Sequence, residues 1–359
     1  MGVAVRFLHS AVLACFHAPN NDILVHTEFF VNFRRDAAIA MLQFGWTFPG
    51  GPGPNTERDT FLSDLKAGFA IIEDHFDSAW FTDHLHYEDG KPQLEGWTTP
   101  TYFAGLYPRL KFGHTVLSQS FRNPALLAKM GATLQYLSQG RFILGIGTGW
   151  KESEYEAYGY DFPSPRVRVE QLEETLQIIE ALWQQKRVTF RGKHYRVVNA
   201  FCDPKPDPRP IIMIGGHQPR MLRLVARHAD WWNVSWFGMD LSRPDNRSHG
   251  AWTGIGEYRE QAQECERACN EVGRDPATLR RTWFGPCICA PTEADIQKLD
   301  AGPFPKDSGF AGTPGQVIEQ MRPYIELGVD YFMFNCLDFP NLTTLELLVS
   351  EVLPALQRF

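Results

Sequence analysis

The sequence predicts an α/β protein, a (β/α)8 TIM barrel with insertions. One observation is the stretch Phe112 to Trp183: an apolar run, a helix, a second apolar run ending in Gly147-Thr148-Gly149-Trp150, then a long amphipathic helix. A second is that this alternation recurs, giving eight strands, each followed by a helix or a long excursion. The alternation implies parallel strands with right-handed crossovers, and roughly 320 residues is within the range of such a barrel. A doubly wound open sheet is the alternative, but its dinucleotide fingerprint is missing at the first strand–helix turn.

The elements follow in order. The first strand covers 42–48, and the Gly/Pro loop 49–54 is too constrained for helix. A helix at 59–75 repeats Phe61, Leu65, Gly68, Phe69 and Ile72 at spacings of three and four. Strand two, 79–82, ends in Asp83-His84; a helix at 98–107 precedes strand three, 111–117. A helix at 124–137 leads to strand four, 141–146, whose glycines fall where strand gives way to loop and backbone can approach a flat or phosphorylated ligand. The helix at 164–185 aligns Val169, Leu172, Leu176, Ile179, Leu182 and Trp183 in one stripe, with acids on the other side. A hairpin follows, 187–190 with 194–197, turned at Gly192-Lys193. Strand five, 211–214, is capped by Gly215-Gly216, and a helix at 218–229 precedes strand six, 231–236. Residues 238–252 read as a surface insertion, followed by a helix at 255–272, strand seven at 281–289, a helix at 292–299 and an irregular stretch to Gly312. Thr313 as N-cap and Pro314 at the first helical position open the next helix. Strand eight is 329–335 and the last helix 342–357.

Residues 1–40 do not share this pattern and read as an N-terminal extension outside the fold, although 23–33 could make a stray strand; 41–359 are the barrel domain. Val12-Leu13-Ala14-Cys15 resembles a lipoprotein cleavage box, but the apolar stretch before it is short and broken by Arg6 and His9. No run approaches the roughly 18 apolar residues of a membrane span, so a cytoplasmic protein is expected. The net charge of −7, without a cluster of Lys and Arg, argues against nucleic acid as a partner. The 10 Trp and 26 Phe suit a deep apolar pocket or a large core. The 7 cysteines are odd in number and form no Cys-x-x-Cys pair, so they read as reduced core thiols.

The ordered pieces resemble the bacterial luciferase-like monooxygenases and their deazaflavin-dependent relatives. They are Trp80-Phe81-Thr82-Asp83-His84, Thr115-Val116-Leu117, Arg122-Asn123-Pro124 with Leu127-Ala128, Leu144 through Trp150 with Glu154-Tyr155, Arg166-Val167-Arg168, Pro210 through Gly216, Ala229 through Asn233, and Gly312-Thr313-Pro314, spread over about 42–355. The resemblance implies a barrel that holds FMN or the deazaflavin coenzyme F-420 at the carboxyl ends of its strands. It also implies a bulged third strand with a non-prolyl cis peptide, at Thr115-Val116, supporting the ring.

A flavin-type ring needs an apolar slot, polar groups at its pyrimidine edge and donors for its phosphate, and strand ends of a barrel supply all three. Gly147, Thr148 and Gly149 let the ring lie against backbone, or merely relieve crowding. Gly215-Gly216 precede a helix and place N–H groups for an anion, or make a tight turn. Arg220 could assist there. Arg168 matches in place an arginine that reaches the cofactor tail; a surface ion pair with Glu154 or Glu173 is the other reading. His84 matches a ring-side histidine of deazaflavin enzymes that acts in proton transfer, or else bonds within its loop. Asp83 orients His84 or caps the next segment. Glu154 matches an acid that touches the cofactor in FMN-dependent relatives. Trp150 stands where some deazaflavin enzymes carry a catalytic glutamate, a departure from the sugar-phosphate dehydrogenases. Ser118 and Gln119 reach the ring edge or form an exposed polar turn. Trp231, Trp232 and Trp236 read as core.

The expected activity is a flavin- or deazaflavin-dependent oxidoreductase or monooxygenase on a small organic substrate, and Asp83-His84 with Gly-Thr-Gly lean toward the deazaflavin. With FMN, a separate flavin reductase would be a partner. A homo-oligomer, a dimer, is expected. The rival is a metal-dependent barrel hydrolase using His84 and His86, with His217 as a further candidate ligand. Loops 49–58, 85–97 and 237–254 would form the outer wall of the pocket.

Overall fold

A computed structural model describes residues 42–53, 55–86, 92–235, 254–298 and 309–357. The expectations for 1–40, for Trp236 and for the insertion 238–252 lie outside the described residues.

In chain order the elements are β1 (Gln43–Thr47), α1 (Arg58–Ile72), β2 (Ser78–Phe81), α2 (Thr98–Leu106), β3 (Lys111–His114), β4 (Leu117–Ser118), α3 (Pro124–Leu137), β5 (Phe142–Gly147), α4 (Glu152–Tyr158), α5 (Pro165–Gln184), β6 (Val188–Arg191), β7 (Arg196–Ala200), β8 (Ile211–Gly215), α6 (Pro219–His228), β9 (Trp231–Ser235), α7 (Ile255–Glu271), β10 (Arg280–Cys289), α8 (Glu293–Lys298), β11 (Phe310–Gly312), α9 (Pro314–Glu326), β12 (Val329–Cys336) and α10 (Thr343–Leu347). The last helix continues through a π-turn at Leu348–Val352. Eight parallel strands close into a barrel in the order β1-β2-β3-β5-β8-β9-β10-β12, closed by β12 pairing back onto β1 (Phe44 opposite Phe332). The barrel expectation therefore holds, and the open sheet is excluded. β6 and β7 form the expected antiparallel hairpin, pinned to α5 by Glu174, whose carboxylate accepts the N–H groups of Lys193, His194 and Tyr195.

Residues of period two divide the core. Trp80, Ile143, Met213, Trp231, Tyr331 and Met333 fill the barrel interior, while the alternate strand residues pack outward under the helices. Trp80 fits because both neighbouring strands carry glycine beside it. A Cβ on Gly45 would lie 2.3 Å from its Nε1, and one on Gly113 2.5 Å from its ring. Its Nε1 donates to Ser78 Oγ at 2.6 Å. At the amino-terminal end Arg280 stacks over Trp231 and Tyr331 and pairs with Asp330 at 2.7 Å. The barrel is thus plugged from below, and its carboxyl-terminal rim is where a ligand can enter.

Local signals set several boundaries. Asn123 Oδ1 accepts from Ala125 N at 2.9 Å and Pro124 opens α3, a cap worth about 1 kcal/mol. Thr313 and Gln316 form a capping box at α9. The described cysteines, 202, 265, 269, 287, 289 and 336, are free and buried. Strand three differs from a single run at 111–117: it stops at His114 and resumes as β4. Gly113 faces Ile143 but Leu117 faces Ile146, so one extra residue is bulged out. The Thr115–Val116 peptide within the bulge is cis.

Candidate active site

At the end of β2, Asp83 and His84 have different partners. Asp83 is buried and its carboxylate accepts both arms of the Arg122 guanidinium, at 2.8 and 2.9 Å, together with Ser118 N at 2.9 Å. Burial raises its carboxyl above the usual value against the pull of Arg122. His84 instead has Nδ1 at 2.9 Å from Glu154 Oε1, and its ring meets Trp150 edge-on at 5.4 Å. The neighbouring Asp83, whose oxygens accept from Arg122 and Ser118, is not the carboxylate bonded to the His84 ring; that carboxylate is Glu154, 70 residues on. Because that oxygen accepts, Nδ1 carries the proton, and in the neutral ring the basic lone pair is on Nε2.

Glu154 itself comes from α4, which has no long apolar stripe and was not expected from the sequence. Lys151 Nζ lies 3.7 Å from the same Oε1 and donates to His86 O at 2.7 Å. The α4 segment thereby bridges the β5 end to the loop after β2. Tyr155, on the same helix, hydrogen-bonds Ser118 Oγ. Gly149, with φ of 73°, is required there, since a Cβ would strike Tyr155 and Ser118. Ser118 is therefore held within the protein by both its amide and its hydroxyl. Gln119 is fully buried and accepts from Tyr195 and Thr175. The exposed-turn alternative does not describe these two buried residues: Ser118 ties β4 to α4, and Gln119 ties the segment after it to α5 and the hairpin.

Val116, just beyond the cis bond, lies over two glycines. A Cβ on Gly147 would be 2.7 Å from its Cγ2, and one on Gly215 3.3 Å from its Cγ1. The space above Gly147 is thus taken by Val116, and the apolar surface offered at the rim is the valine. Gly145, below, allows the bulge itself, since its Cβ would overlap His114 O. Thr148 is partly exposed at the end of β5.

Gly216 requires a correction. Its N–H donates to Asn233 O at 3.1 Å and its carbonyl accepts from Trp232 Nε1 at 2.8 Å. The backbone donor expected for an anion is engaged in joining β8 to β9, and the donors left at this helix end belong to the first turn of α6 after Pro219. Gly216 has φ of 136° and Met221 packs against it, which suits the tight-turn reading.

Arg168 is buried. Its Nη1 donates to Pro163 O at 2.6 Å, its guanidinium stacks on Phe162 at 3.9 Å, and Nε has no hydrogen-bond partner among the described residues. The expected surface ion pair does not form, since Glu154 faces His84 and Glu173 pairs with Arg227. Burial lowers the proton affinity of Arg168 below the usual arginine value, a cost that a bound anion would offset. Thr115 Oγ1 is a second buried atom without a partner. An apolar platform plus an unpaired hydroxyl and guanidinium N–H fits a flat ring with an anionic tail.

Pro49, Gly51, Pro52, Gly53, Pro92 and Gln93, with Phe339 and Pro340, line a cavity of about 260 Å³. Two of the three loops expected to wall the substrate pocket line this cavity, whose walls include neither His84 nor Val116, and 237–253 lies outside the described residues. The hydrolase alternative finds no ligand set. His84 is paired with Glu154, His86 stacks on Tyr158 at 6.1 Å, and His217 lies beside Gln218. Among the described residues no group of three or more His, Cys, Asp or Glu is arranged to hold a metal ion. No helix among them is long and apolar enough to cross a membrane.

Comparison with known proteins identifies relatives of the chain. The chain is 35% identical over 198 residues to an F420-dependent glucose-6-phosphate dehydrogenase of Kineococcus radiotolerans, covering 53% of this chain and 58% of that protein. It is 30% identical over 242 residues to a phthiodiolone/phenolphthiodiolone dimycocerosates ketoreductase of Mycobacterium bovis, covering 66% of this chain and 58% of the relative. The chain thus spans under two thirds of the length of these relatives. An F420-dependent secondary alcohol dehydrogenase, solved with an F420-acetone adduct, superposes with a TM-score of 0.71 at 18% identity over 88% of this chain and 99% of its own, which shows the shared fold. The family model described as luciferase-like monooxygenase matches residues 42–301, and the chain belongs to that family.

Proposed function

We propose that this chain is a deazaflavin-dependent oxidoreductase that interconverts an alcohol and its carbonyl compound. The observation that carries the reading is the His84–Glu154 pair at the rim, 2.9 Å apart and beside the Val116 platform's strand end. FMN is the other cofactor the family allows. Glu154, matched to an acid that touches the cofactor in FMN-dependent relatives, is here turned to His84, which favours the deazaflavin. The relatives above act, by name, as a glucose-6-phosphate dehydrogenase, a ketoreductase and a secondary alcohol dehydrogenase. These share alcohol–carbonyl chemistry, not a substrate. Trp150 in place of a glutamate argues against glucose-6-phosphate itself.

Thr115, Val116 and Thr148 would hold the ring, with Gly147 and Gly215 setting the height of Val116, and Arg168 would hold the anionic tail. Bound there, the deazaflavin supplies the hydride donor or acceptor. His84 Nε2 accepts the hydroxyl proton of an alcohol or returns it to a carbonyl oxygen. Glu154 holds the imidazole in the tautomer that can do so and stabilises it when protonated. Asp83 and Ser118 keep the frame. The cavity past the end of β1, lined by prolines and Phe339 together with Thr56, Asp64 and Gln93, would take the rest of the substrate.

The test is binding followed by turnover. The protein is titrated with the deazaflavin and with FMN, read by fluorescence, and then assayed with reduced deazaflavin against a panel of ketones and aldehydes. Deazaflavin binding with carbonyl-dependent oxidation supports the proposal. Tight FMN binding with no deazaflavin binding would overturn it and make a flavin reductase the partner to seek.

A further inference from the structure

The run Arg122-Asn123-Pro124 is explained locally for two of its three members, since Asn123 caps α3 and Pro124 opens it. Arg122 turns away from that helix to the rim. Its side chain is 9% exposed and that of Asp83 1%. Two segments, the end of β2 and the loop before α2, meet on its guanidinium. Nη1 and Nη2 fork onto the two oxygens of Asp83 at 2.8 and 2.9 Å. Nη2 also donates to Glu95 Oε1 at 2.7 Å, and the cation sits 5.8 Å from the Trp97 ring. Asp83 Oδ2 in turn accepts Ser118 N, which follows the bulge bearing Val116.

The segment around Glu95 is closed against the same carboxylate. A Cβ on Gly96 would stand 2.5 Å from Asp83 Oδ1. His114 bonds Gly96 O at 2.6 Å, and Trp97 stacks on His114 at 5.5 Å. A planar fork fixes both oxygens at once, in a way that a lysine ammonium does not. In this water-poor setting it fixes the peptide on which His84 follows Asp83.

We infer that Arg122 is a positioning residue for the His84–Glu154 pair. Its fork on Asp83 sets the peptide carrying His84, and the Ser118 amide on the same carboxylate sets the strand carrying Val116. One guanidinium thereby fixes the spacing between the proton-transfer group and the platform for the ring. Glu95, 43% exposed and bonded to one arm only, latches the neighbouring loop without setting that spacing. The inference rests on His84 being the proton-transfer group.

The test uses cofactor-free full-length protein labelled with nitrogen-15 histidine. The proton shared by His84 Nδ1 and Glu154 is identified by its loss in His84→Gln, and its exchange with water is timed. Arg122→Lys keeps the charge and loses the fork; Asp83→Asn is the second variant should the first not fold. Each should unfold cooperatively and exchange this proton at least about tenfold faster, because a loosened pair opens more often. In the carbonyl assay each should lose about tenfold to a hundredfold in kcat with KM within about threefold, the usual cost of a small misplacement. Glu95→Gln should leave the exchange rate unchanged. A wild-type proton that already exchanges too fast to observe, or wild-type exchange rates in folded Arg122→Lys and Asp83→Asn, would overturn the inference. Absence of any wild-type turnover would sink the functional reading and leave the exchange result to decide the positioning role.

Discussion

Val116 occupies the space that a side chain on Gly147 would need: a Cβ there lies 2.7 Å from Val116 Cγ2. Gly215, on the adjoining strand, leaves 3.3 Å to the other methyl. Valine is stiff about its first side-chain torsion and cannot swing aside cheaply. The two glycines therefore fix the height of the rim's apolar surface, and their importance for a ring is indirect.

Gly147→Ala should displace Val116. Overpacking of this kind costs about 1–3 kcal/mol, so thermal unfolding should come several degrees earlier. Deazaflavin affinity should fall at least about tenfold, since the platform moves as a unit. Gly215→Ala should be milder on both measures, because a contact of 3.3 Å asks for only a few tenths of an ångström. Fluorescence titration of both variants checks this; equal affinity in Gly147→Ala would show that Val116 is not the surface the ring uses.

His84→Ala should keep cofactor affinity within a few-fold and lower turnover by about a hundredfold, the lower end of what a positioned acid–base group contributes. Glu154→Gln should lose a similar factor, since a neutral amide can hold the ring but does not stabilise its protonated form. The double variant should be little worse than either single one, because the two residues act as a unit. Losses that multiply across the pair would mean that Glu154 works elsewhere, as in an FMN enzyme.

The barrel was legible because its signals are local. Apolar strand runs, the stripe on α5 and the Thr313-Pro314 helix start each lie within a few residues of sequence. Short elements were not legible: α4 is seven residues rich in acids, and β11 is three residues that, among the described residues, pair with β10. The site was legible as positions and less so as partnerships. His84 and Glu154 were both singled out, but a pair 70 residues apart leaves no mark in either neighbourhood. Asp83 with Arg122, 39 residues apart, is the same case. Gly216 looked like a donor because glycine before a helix often is; the competing demand of Asn233 on its N–H is visible only once β8 and β9 are side by side.

His114 ties stability to acid. Burial, with Arg122 nearby, pushes its imidazole down to about 3, while its Nε2 keeps the bond to Gly96. The unfolded chain therefore binds this proton and the folded chain does not over the range between about 6.5 and 3. Its contribution is present in full above that range and is lost as pH falls through it. A tenfold change in proton affinity is worth about 1.4 kcal/mol, so the loss by pH 4.5 should be a few kcal/mol. Urea unfolding at pH 7 and pH 4.5 should show a smaller difference for His114→Gln than for the wild type. The same difference in both would assign the acid sensitivity to other groups, among them Glu95, whose carboxyl is held below its usual value.

Arg168 is the residue through which the tail of a cofactor can be separated from its ring. The guanidinium is held flat by Phe162 and Pro163 with Nε unpaired, an arrangement complementary to a phosphate oxygen. Arg168→Gln should weaken deazaflavin binding by about tenfold to a hundredfold at low ionic strength, and by less as salt screens the interaction. A deazaflavin chromophore that lacks the phosphate-bearing tail should bind the variant and the wild type alike. Lysine should rescue only part of the loss, since it restores charge but neither the stacking nor the fork. If the tail-free chromophore also binds Arg168→Gln poorly, the arginine supports the ring pocket and the tail is held from the first turn of α6.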